Sequence, residues 1–121
     1  MIKLTIPRTP HSQNHLYNLH WSKRRVVKQK WIDDIYWTAR KNKVIPKKPY
    51  KKAKVKITIY FSINRRRDTD NYPCKELIDG LRYAGIIEDD NVRAIGKPWI
   101  LFGVDKENPR TEVEVEEVKD V

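Results

Sequence analysis

The chain has 121 residues, of which 39% are hydrophobic and 10% aromatic, a composition typical of one small folded domain. This composition excludes a chain that stays disordered for lack of apolar residues. The apolar runs are too short for a membrane span, and the one cysteine excludes an intrachain disulfide and a cysteine-based zinc site. We expect a soluble protein of the cytoplasm with no membrane partner.

The formal net charge of +10 is divided unevenly along the chain. Residues 1–67 contain 19 Lys and Arg against two acidic residues, whereas residues 68–121 contain 7 against 14. A basic half interspersed with Trp and Tyr is typical of a nucleic-acid-binding surface, because cations contact phosphates and aromatic rings stack on bases. The alternative is a solvated basic surface, with the aromatic residues in the core. We favour nucleic acid because the excess of positive charge is confined to one half.

The N-terminal residues predict a strand and a loop. Apolar residues alternate with polar ones over residues 1–6, which predicts a short strand ended by Pro7. Residues 8–21 are polar and contain all three histidines, so we predict a loop there. Contact of these histidines with phosphate or bases is one interpretation, and solvated loop side chains are the simpler one.

A basic amphipathic helix is predicted next. Apolar side chains recur every four residues, which predicts a helix that runs to about Lys41. Ser22 can cap the start of this helix. The apolar stripe comprises Val27, Trp31, Ile35 and Ala39. The other faces are rich in cations, and the candidate DNA-binding residues among them are Lys23, Arg24, Arg25 and Lys28. Residues 42–53 read as a linker rich in Lys and Pro.

The centre of the chain predicts a strand and a second helix. Strict alternation over Lys54–Ile63 predicts the main core strand, with Ile63 as the last residue of its buried face. The second helix should follow residue 70 and run to about Ala84, where Gly85 ends it. Its apolar stripe comprises Cys74, Leu77, Ile78 and Leu81.

Two further strands are predicted over Val92–Val104 and Thr111–Val118. The resulting fold class is α/β (α+β), with a small mixed four-stranded sheet, the element order β-α-β-α-β-β, and helices packed against the sheet. One domain should span residues 1–121.

The most informative segment is residues 65–90, with the sequence RRRDTDNYPCKELIDGLRYAGIIEDD. Three arginines, Arg65, Arg66 and Arg67, lead directly into a D-x-D-N cluster and are further candidate DNA-binding residues. If this segment is extended, Asp68 and Asp70 project to the same side. The start of the following helix would also favour a phosphate oxygen.

More charged residues follow on the second helix and after it. Lys75 and Asp79 are four residues apart, which fits either a surface ion pair or a lysine directed at the scissile phosphate. If the turn that carries Asp89 and Asp90 folds against the first carboxylates, three or four carboxylates converge. Turn formation and helix capping would explain each acid singly, but their combination favours a metal site.

Neighbouring carboxylates repel one another unless a cation lies between them. Ligands that are all oxygen indicate Mg²⁺ or Mn²⁺ rather than zinc. Such an ion suits phosphodiester hydrolysis, because it activates a water molecule and neutralises charge that develops on the phosphate.

The pattern R-x-D-x-D-N, then Lys75, D-x-L at 79–81 and A-G-x-x-x-D-D at 84–90, resembles the RusA-type Holliday junction resolvases, small endonucleases common in phages and prophages. The specific similarity covers about a quarter of the chain. It implies a homodimer that binds branched DNA (four-way junctions) and cuts two strands symmetrically with Mg²⁺ or Mn²⁺, with no small-molecule cofactor.

The resemblance also implies roles for individual residues. The catalytic, metal-binding acids would be Asp68, Asp70 and Asp90, with Lys75 near the phosphate. Asp89 would join the metal ligands, and Asn71 and Asp79 would support the site. One departure concerns the spacing between Asn71 and Lys75, which is three residues here against the usual two. The additional residue falls at the start of the second helix, where Pro73 is tolerated in a first turn.

The leading hypothesis is a metal-dependent, structure-selective endodeoxyribonuclease. The second is a nucleic-acid-binding protein on the same fold without catalysis. The third is a small phosphohydrolase acting on nucleotides, which would leave the basic half unexplained.

Overall fold

The computed structural model describes residues 1–119, which form a two-layer α/β domain. Its strands are β1 (Ile2–Ile6), β2 (Ala53–Phe61), β3 (Trp99–Val104) and β4 (Arg110–Glu117). Its helices are α1 (Gln13–Tyr17), α2 (Trp21–Lys41), α3 (Lys75–Tyr83) and α4 (Val92–Ile95), and a 3₁₀ turn covers Thr69–Asn71. None of the helices within these residues is long and apolar enough to span a membrane.

The four strands of the described chain form one mixed sheet in the order β1-β4-β2-β3. β4 pairs antiparallel with both β1 and β2, whereas β3 runs parallel to β2 at one edge. The parallel pair follows from the connection, because the chain between β2 and β3 passes through α3 and α4 and returns in the same direction. The predicted fold class and the mixed four-stranded sheet are confirmed.

The core lies between one face of the sheet and the pair α2 and α3. The inward residues of β2 are at most 6% exposed, as strict alternation predicts. On α2, Trp31, Ile35 and Ala39 are fully buried, and Gly80 of α3 lets the two helices approach closely, since a Cβ there would lie 2.9 Å from Ile35 Cβ. The predicted apolar stripes of both helices are therefore confirmed in their central residues.

Several predicted boundaries are wrong. The loop over residues 8–21 contains α1, because the Ser12 side chain accepts a hydrogen bond from the His15 N–H and Leu16 is buried. α2 begins one residue before Ser22, and His20 caps it through Nδ1, which accepts from the Ser22 N–H. β2 ends at Phe61, so Ile63 is 60% exposed instead of buried.

The predicted strand over Val92–Val104 is also wrong in its first half. Asn91 caps a short helix there, with its side chain accepting from the Ala94 N–H at 2.9 Å. Gly96, with φ of 60°, ends that helix before β3 begins. The element order is therefore β-α-α-β-α-α-β-β, richer in helices than predicted.

The Lys- and Pro-rich linker is tied to the turn that precedes the acidic pair Asp89-Asp90. The Tyr50 N–H donates to Ile86 O and the Glu88 N–H donates to Tyr50 O, each at 2.9 Å. Gly85, with φ of 82°, takes the left-handed conformation that ends α3 and starts this turn, as predicted. These bonds fix the backbone immediately before the two acids.

Candidate functional site

An open cavity of about 630 Å³, which we call the arginine cavity, lies where the chain leaves β2. Residues 12–14 form one wall and residues 65–68 and 70–72 form the other. The walls are joined by a hydrogen bond from the Asn14 N–H to Asn71 Oδ1 at 3.1 Å. Asn71, predicted as a supporting residue, therefore connects the N-terminal segment to the acidic cluster.

The three arginines of this cavity differ in their contacts. The Arg67 guanidinium lies 3.7 Å from the centre of the Phe61 ring, and its Nη1 donates to Ile63 O at 3.0 Å. Arg65 and Arg66 are exposed at the cavity wall. Arg67 therefore fixes the course of the segment, and Arg65 and Arg66 present positive charge to a ligand in the cavity.

Asp68 and Asp70 both line the arginine cavity, but the backbone that carries them is not a simple extended segment. Asp68 is extended and precedes the 3₁₀ turn, whereas Asp70 lies within that turn. The turn is held by Tyr72, whose ring packs edge-on against Phe61 and Phe102 at 5.4 Å. The structure thus places the two acids beside the arginines, as predicted, through a turn that the sequence pattern did not reveal.

The remaining acids form a second group around the start of α4. Asp90 lies 4.0 Å from Arg82 Nη1, and its N–H donates to Asp89 Oδ1 at 2.7 Å. That hydrogen bond is the main cause that lowers the pKa of Asp89. The pKa of Asp79 is raised, first by burial and then by the nearby Asp90 carboxylate. Asp79 and Asp90 are therefore like charges held close together.

The predicted convergence of three or four carboxylates is not found in residues 1–119, which contain no group of three or more His, Cys, Asp or Glu side chains placed to hold a metal ion. Asp70 borders a cavity of about 500 Å³ beside β3, and Asp90 borders an adjacent one of about 570 Å³. Pro73, Lys97 and Pro98 line both cavities, so the two cavities are neighbours. The two acids do not converge because each is held by its own neighbours. Asp70 lies in the 3₁₀ turn beside the arginines, whereas Asp90 is held near Arg82 and Asp79.

Lys75 lies beside the second acidic group. It is the exposed first residue of α3, lines the same cavity as Asp90, and its charge lowers the pKa of Asp79 against the larger effects that raise it. Cys74 immediately before it adopts the left-handed conformation with φ of 56°. Pro73 therefore lies outside the helix and not in its first turn, and Cys74 turns the backbone sharply before α3 begins.

We expect the Cys74 thiol to be unreactive in the folded protein. The side chain is only 2% exposed, and burial is the main cause that raises its pKa to about 12. Because the thiolate is the reactive form, an aromatic disulfide reagent at pH 8 should label Cys74 much more slowly in buffer than in denaturant. Equal rates in both conditions would contradict the buried placement.

The candidate DNA-binding residues of α2 divide into two pairs. Arg24 and Lys28 line a cavity of about 300 Å³ between α1 and the start of α3, whereas Lys23 and Arg25 are exposed outside its lining. The floor of this cavity includes Glu76, which is 7% exposed and whose pKa is raised by burial. Nothing in the sequence pattern indicated that Glu76 is buried, because glutamate side chains are mostly exposed.

Residues 7–116 match the protein-family model described as Endodeoxyribonuclease RusA. The chain belongs to the RusA endodeoxyribonuclease family. The match includes both walls of the arginine cavity and both acidic groups, so the resemblance seen in residues 65–90 extends over nearly the whole domain. No curated protein matches the chain. RusA membership implies an endodeoxyribonuclease that resolves Holliday junctions.

Proposed function

We propose that this RusA protein resolves four-way DNA junctions by Mg²⁺- or Mn²⁺-dependent hydrolysis of phosphodiester bonds, in DNA recombination and repair. The observation that carries the proposal is the arginine cavity, in which Asp68 and Asp70 lie beside the exposed Arg65 and Arg66. Arginines attract the DNA backbone and carboxylates bind a hard cation. The same cavity would therefore hold a phosphate and a metal ion side by side.

The donor atoms at the site fit Mg²⁺ or Mn²⁺ by their chemistry, although the two acidic groups border different cavities in the described chain. We propose Asp68 and Asp70 as the ligands within the arginine cavity. Asp89 and Asp90 are the further proposed ligands, and they would have to move towards this cavity to share the same ion. A cation is also the natural partner of two acids as close as Asp79 and Asp90, whose proximity raises the pKa of Asp79 in addition to burial. When bound, the ion would lower the pKa of a water molecule and offset charge on the phosphate.

The remaining residues would position the DNA and neutralise negative charge on the phosphate. Lys75 would offset charge that develops on the scissile phosphate, and Asp79 would orient Lys75 four residues earlier on α3. Asn71 would hold the N-terminal wall of the cavity through its bond to Asn14. Residues 23–25 and Lys28 on α2 would contact the DNA backbone further from the cut.

We also propose a homodimer that acts in the cytoplasm. A four-way junction has two strands to cut in symmetrical positions, and a two-fold protein delivers one active site to each of them. No small-molecule cofactor is needed for this chemistry.

A cleavage assay tests the proposal. End-labelled four-way junction and a linear duplex of the same sequence are incubated with the protein in Mg²⁺, in Mn²⁺ or in EDTA. Paired incisions in the junction, dependent on the metal and absent from the duplex, are the expected result. Incisions that persist in EDTA would refute the dependence of cleavage on a metal ion. Cleavage of the duplex at the same rate would refute selectivity for branched DNA.

A non-catalytic junction-binding protein is the second candidate. It is favoured by the separation of Asp70 and Asp90 into adjacent cavities and by the excess of positive charge in residues 1–67. Tight junction binding with intact strands in every metal would support it over the nuclease.

Replacement of Arg65 and Arg66 together by glutamine should weaken junction binding and flatten its salt dependence. Each phosphate contact contributes about 0.9 to the slope of log K against log salt on duplex DNA, so the slope should fall by up to about 2. Fluorescence anisotropy at several salt concentrations measures this. Lys106→Gln, an exposed cation in the turn between β3 and β4, is the matched control and should leave the slope nearly unchanged. Equal slopes for wild type and the double variant would remove the two arginines from the DNA interface.

A further inference from the structure

β3 forms one edge of the sheet, and its first residues border the cavity that contains Asp70. Among the described strands it pairs only with β2, and its sequence WILFGV contains neither a charged residue nor a proline. The other edge strand, β1, carries Lys3, which forms an ion pair with Glu112 at 3.4 Å. Edge strands usually carry charges or prolines that prevent pairing with another chain. β3 has neither, which indicates that its edge is covered.

The side chains of β3 that point away from the helices are apolar and exposed. Trp99 is 69% exposed and Leu101 is 41% exposed, whereas Ile100 and Phe102 point to the opposite face and pack against the core. Trp99 also borders a cavity of about 530 Å³ whose lining includes Met1, three lysines at positions 54, 56 and 97, and two glutamates at positions 114 and 116. An apolar patch of this kind, together with a free strand edge, is characteristic of a protein–protein interface.

We propose that β3 pairs antiparallel with β3 of a second copy of this chain, with Leu101 at the two-fold axis. This inference rests on the proposed homodimer and names the surface that forms it. In this register Trp99 lies opposite Gly103 of the second copy, and Lys97 lies opposite Asp105. The two sheets join into one continuous sheet of eight strands.

The residues around Leu101 are complementary to themselves when the strand is reversed. The large Trp99 lies opposite Gly103, which has no side chain. The Tyr60 ring packs closely against Gly103, since a Cβ there would lie 2.7 Å from Tyr60 Cδ1. The indole therefore packs onto a small residue flanked by an aromatic ring. Lys97 lies opposite Asp105 at each end of the paired segment, and the Asp105 carboxylate also accepts a hydrogen bond from Arg110 Nη1 at 2.7 Å within its own chain.

Charge also indicates that a second copy of the chain, and not DNA, covers the edge of β3. Two chains that each carry a net charge of +10 repel one another at long range, so their interface should avoid the basic half. β3 lies in the acidic half, residues 68–121, and contributes no cation of its own. DNA binding needs cations, and β3 offers none within the strand.

The first test measures the oligomeric state of the full chain by sedimentation over a range of concentrations. Leu101→Lys places two like charges at the two-fold axis and should weaken the dimer by about a hundredfold or more. Thr5→Lys, an exposed position on the opposite edge strand β1, is the matched control and should dimerise like wild type. Circular dichroism confirms that each variant is folded.

The second test is a disulfide cross-link that depends on the register. Directly opposed residues in antiparallel strands have Cα atoms about 4.5–5.5 Å apart, within reach of a disulfide. Leu101→Cys should therefore form a covalent dimer on mild oxidation, while Val104→Cys, exposed on the same strand but opposite Pro98, should not. The native Cys74 is buried and does not compete.

A wild-type chain that stays monomeric at all concentrations would overturn the proposal. So would a dimer that tolerates Leu101→Lys and gives no Leu101→Cys cross-link. Junction cleavage is measured separately on the same proteins. A chain that dimerises and cross-links through residue 101 without cutting DNA would refute the proposed nuclease and retain the interface, whereas an active monomer would refute the interface alone.

Discussion

Asp70→Asn should reduce metal-dependent junction cleavage by about a thousandfold or more. Metal ions stabilise such transition states by several kcal/mol, and each ~1.4 kcal/mol corresponds to a factor of ten in rate. Asparagine keeps the size of the side chain and removes the negative charge that would hold the ion. Because Asp70 also lies beside Arg65 and Arg66 in the arginine cavity, its neutralisation should leave junction affinity unchanged or raise it.

Single-turnover cleavage and anisotropy titration on the same junction separate these two effects. Asp33→Asn is the matched control, because Asp33 is an exposed acid on α2 whose side chain accepts a hydrogen bond from Gln29 outside the cavity. The control should cut like wild type. Full activity in Asp70→Asn would remove this residue from the metal site, and a parallel loss of affinity and folding would indicate a structural role instead.

Trp31→Ala should lower the free energy of unfolding by about 3–5 kcal/mol, the usual cost of removing a fully buried large aromatic side chain. Trp31 is 0% exposed at the centre of α2. The Arg8 guanidinium lies 3.7 Å from the centre of its ring and donates two hydrogen bonds to Asp34 at 2.9 and 2.7 Å. The Arg8 carbonyl accepts from the Thr111 hydroxyl at 2.8 Å. Loss of the indole should therefore also loosen the segment that leads to the arginine cavity.

Trp37→Ala is the matched control on the same helix, because Trp37 is 60% exposed and its loss should cost about 0.5 kcal/mol. Urea unfolding followed by circular dichroism at one fixed protein concentration measures both variants, since dimer formation would make stability depend on concentration. Similar losses for the two tryptophans would contradict the assignment of Trp31 to the core and Trp37 to the surface.

The sequence predicted the parts of the fold that depend on periodic burial. The alternation in β2 and the four-residue repeat in α2 identified the inward residues, because each repeat places apolar side chains on one side of a regular backbone. The errors fall where one side chain determines the backbone. The caps made by Ser12 and Asn91 create α1 and α4, and hydrogen bonds of this kind leave no periodic pattern.

For the candidate site, the sequence named the acidic and basic residues, and the structure decided how they are arranged. The sequence placed Asp68 and Asp70 beside the arginines because the five residues are adjacent along the chain. It could not distinguish Arg67, which stacks on Phe61, from the two exposed arginines. It also predicted that Asp90 would join the first acids, whereas the described chain holds it near Arg82 and Asp79.

The sequence by itself determined the family, the basic half of the chain and the identity of the acidic residues, because these depend only on which residues occur and at what spacing. Only the tertiary structure decided which of them share a cavity, that Glu76 is buried, and that the uncharged strand β3 lies at an edge of the sheet. These features depend on contacts between segments far apart in the chain. Spacing along the chain carries no information about such contacts until the backbone turns between the segments are fixed.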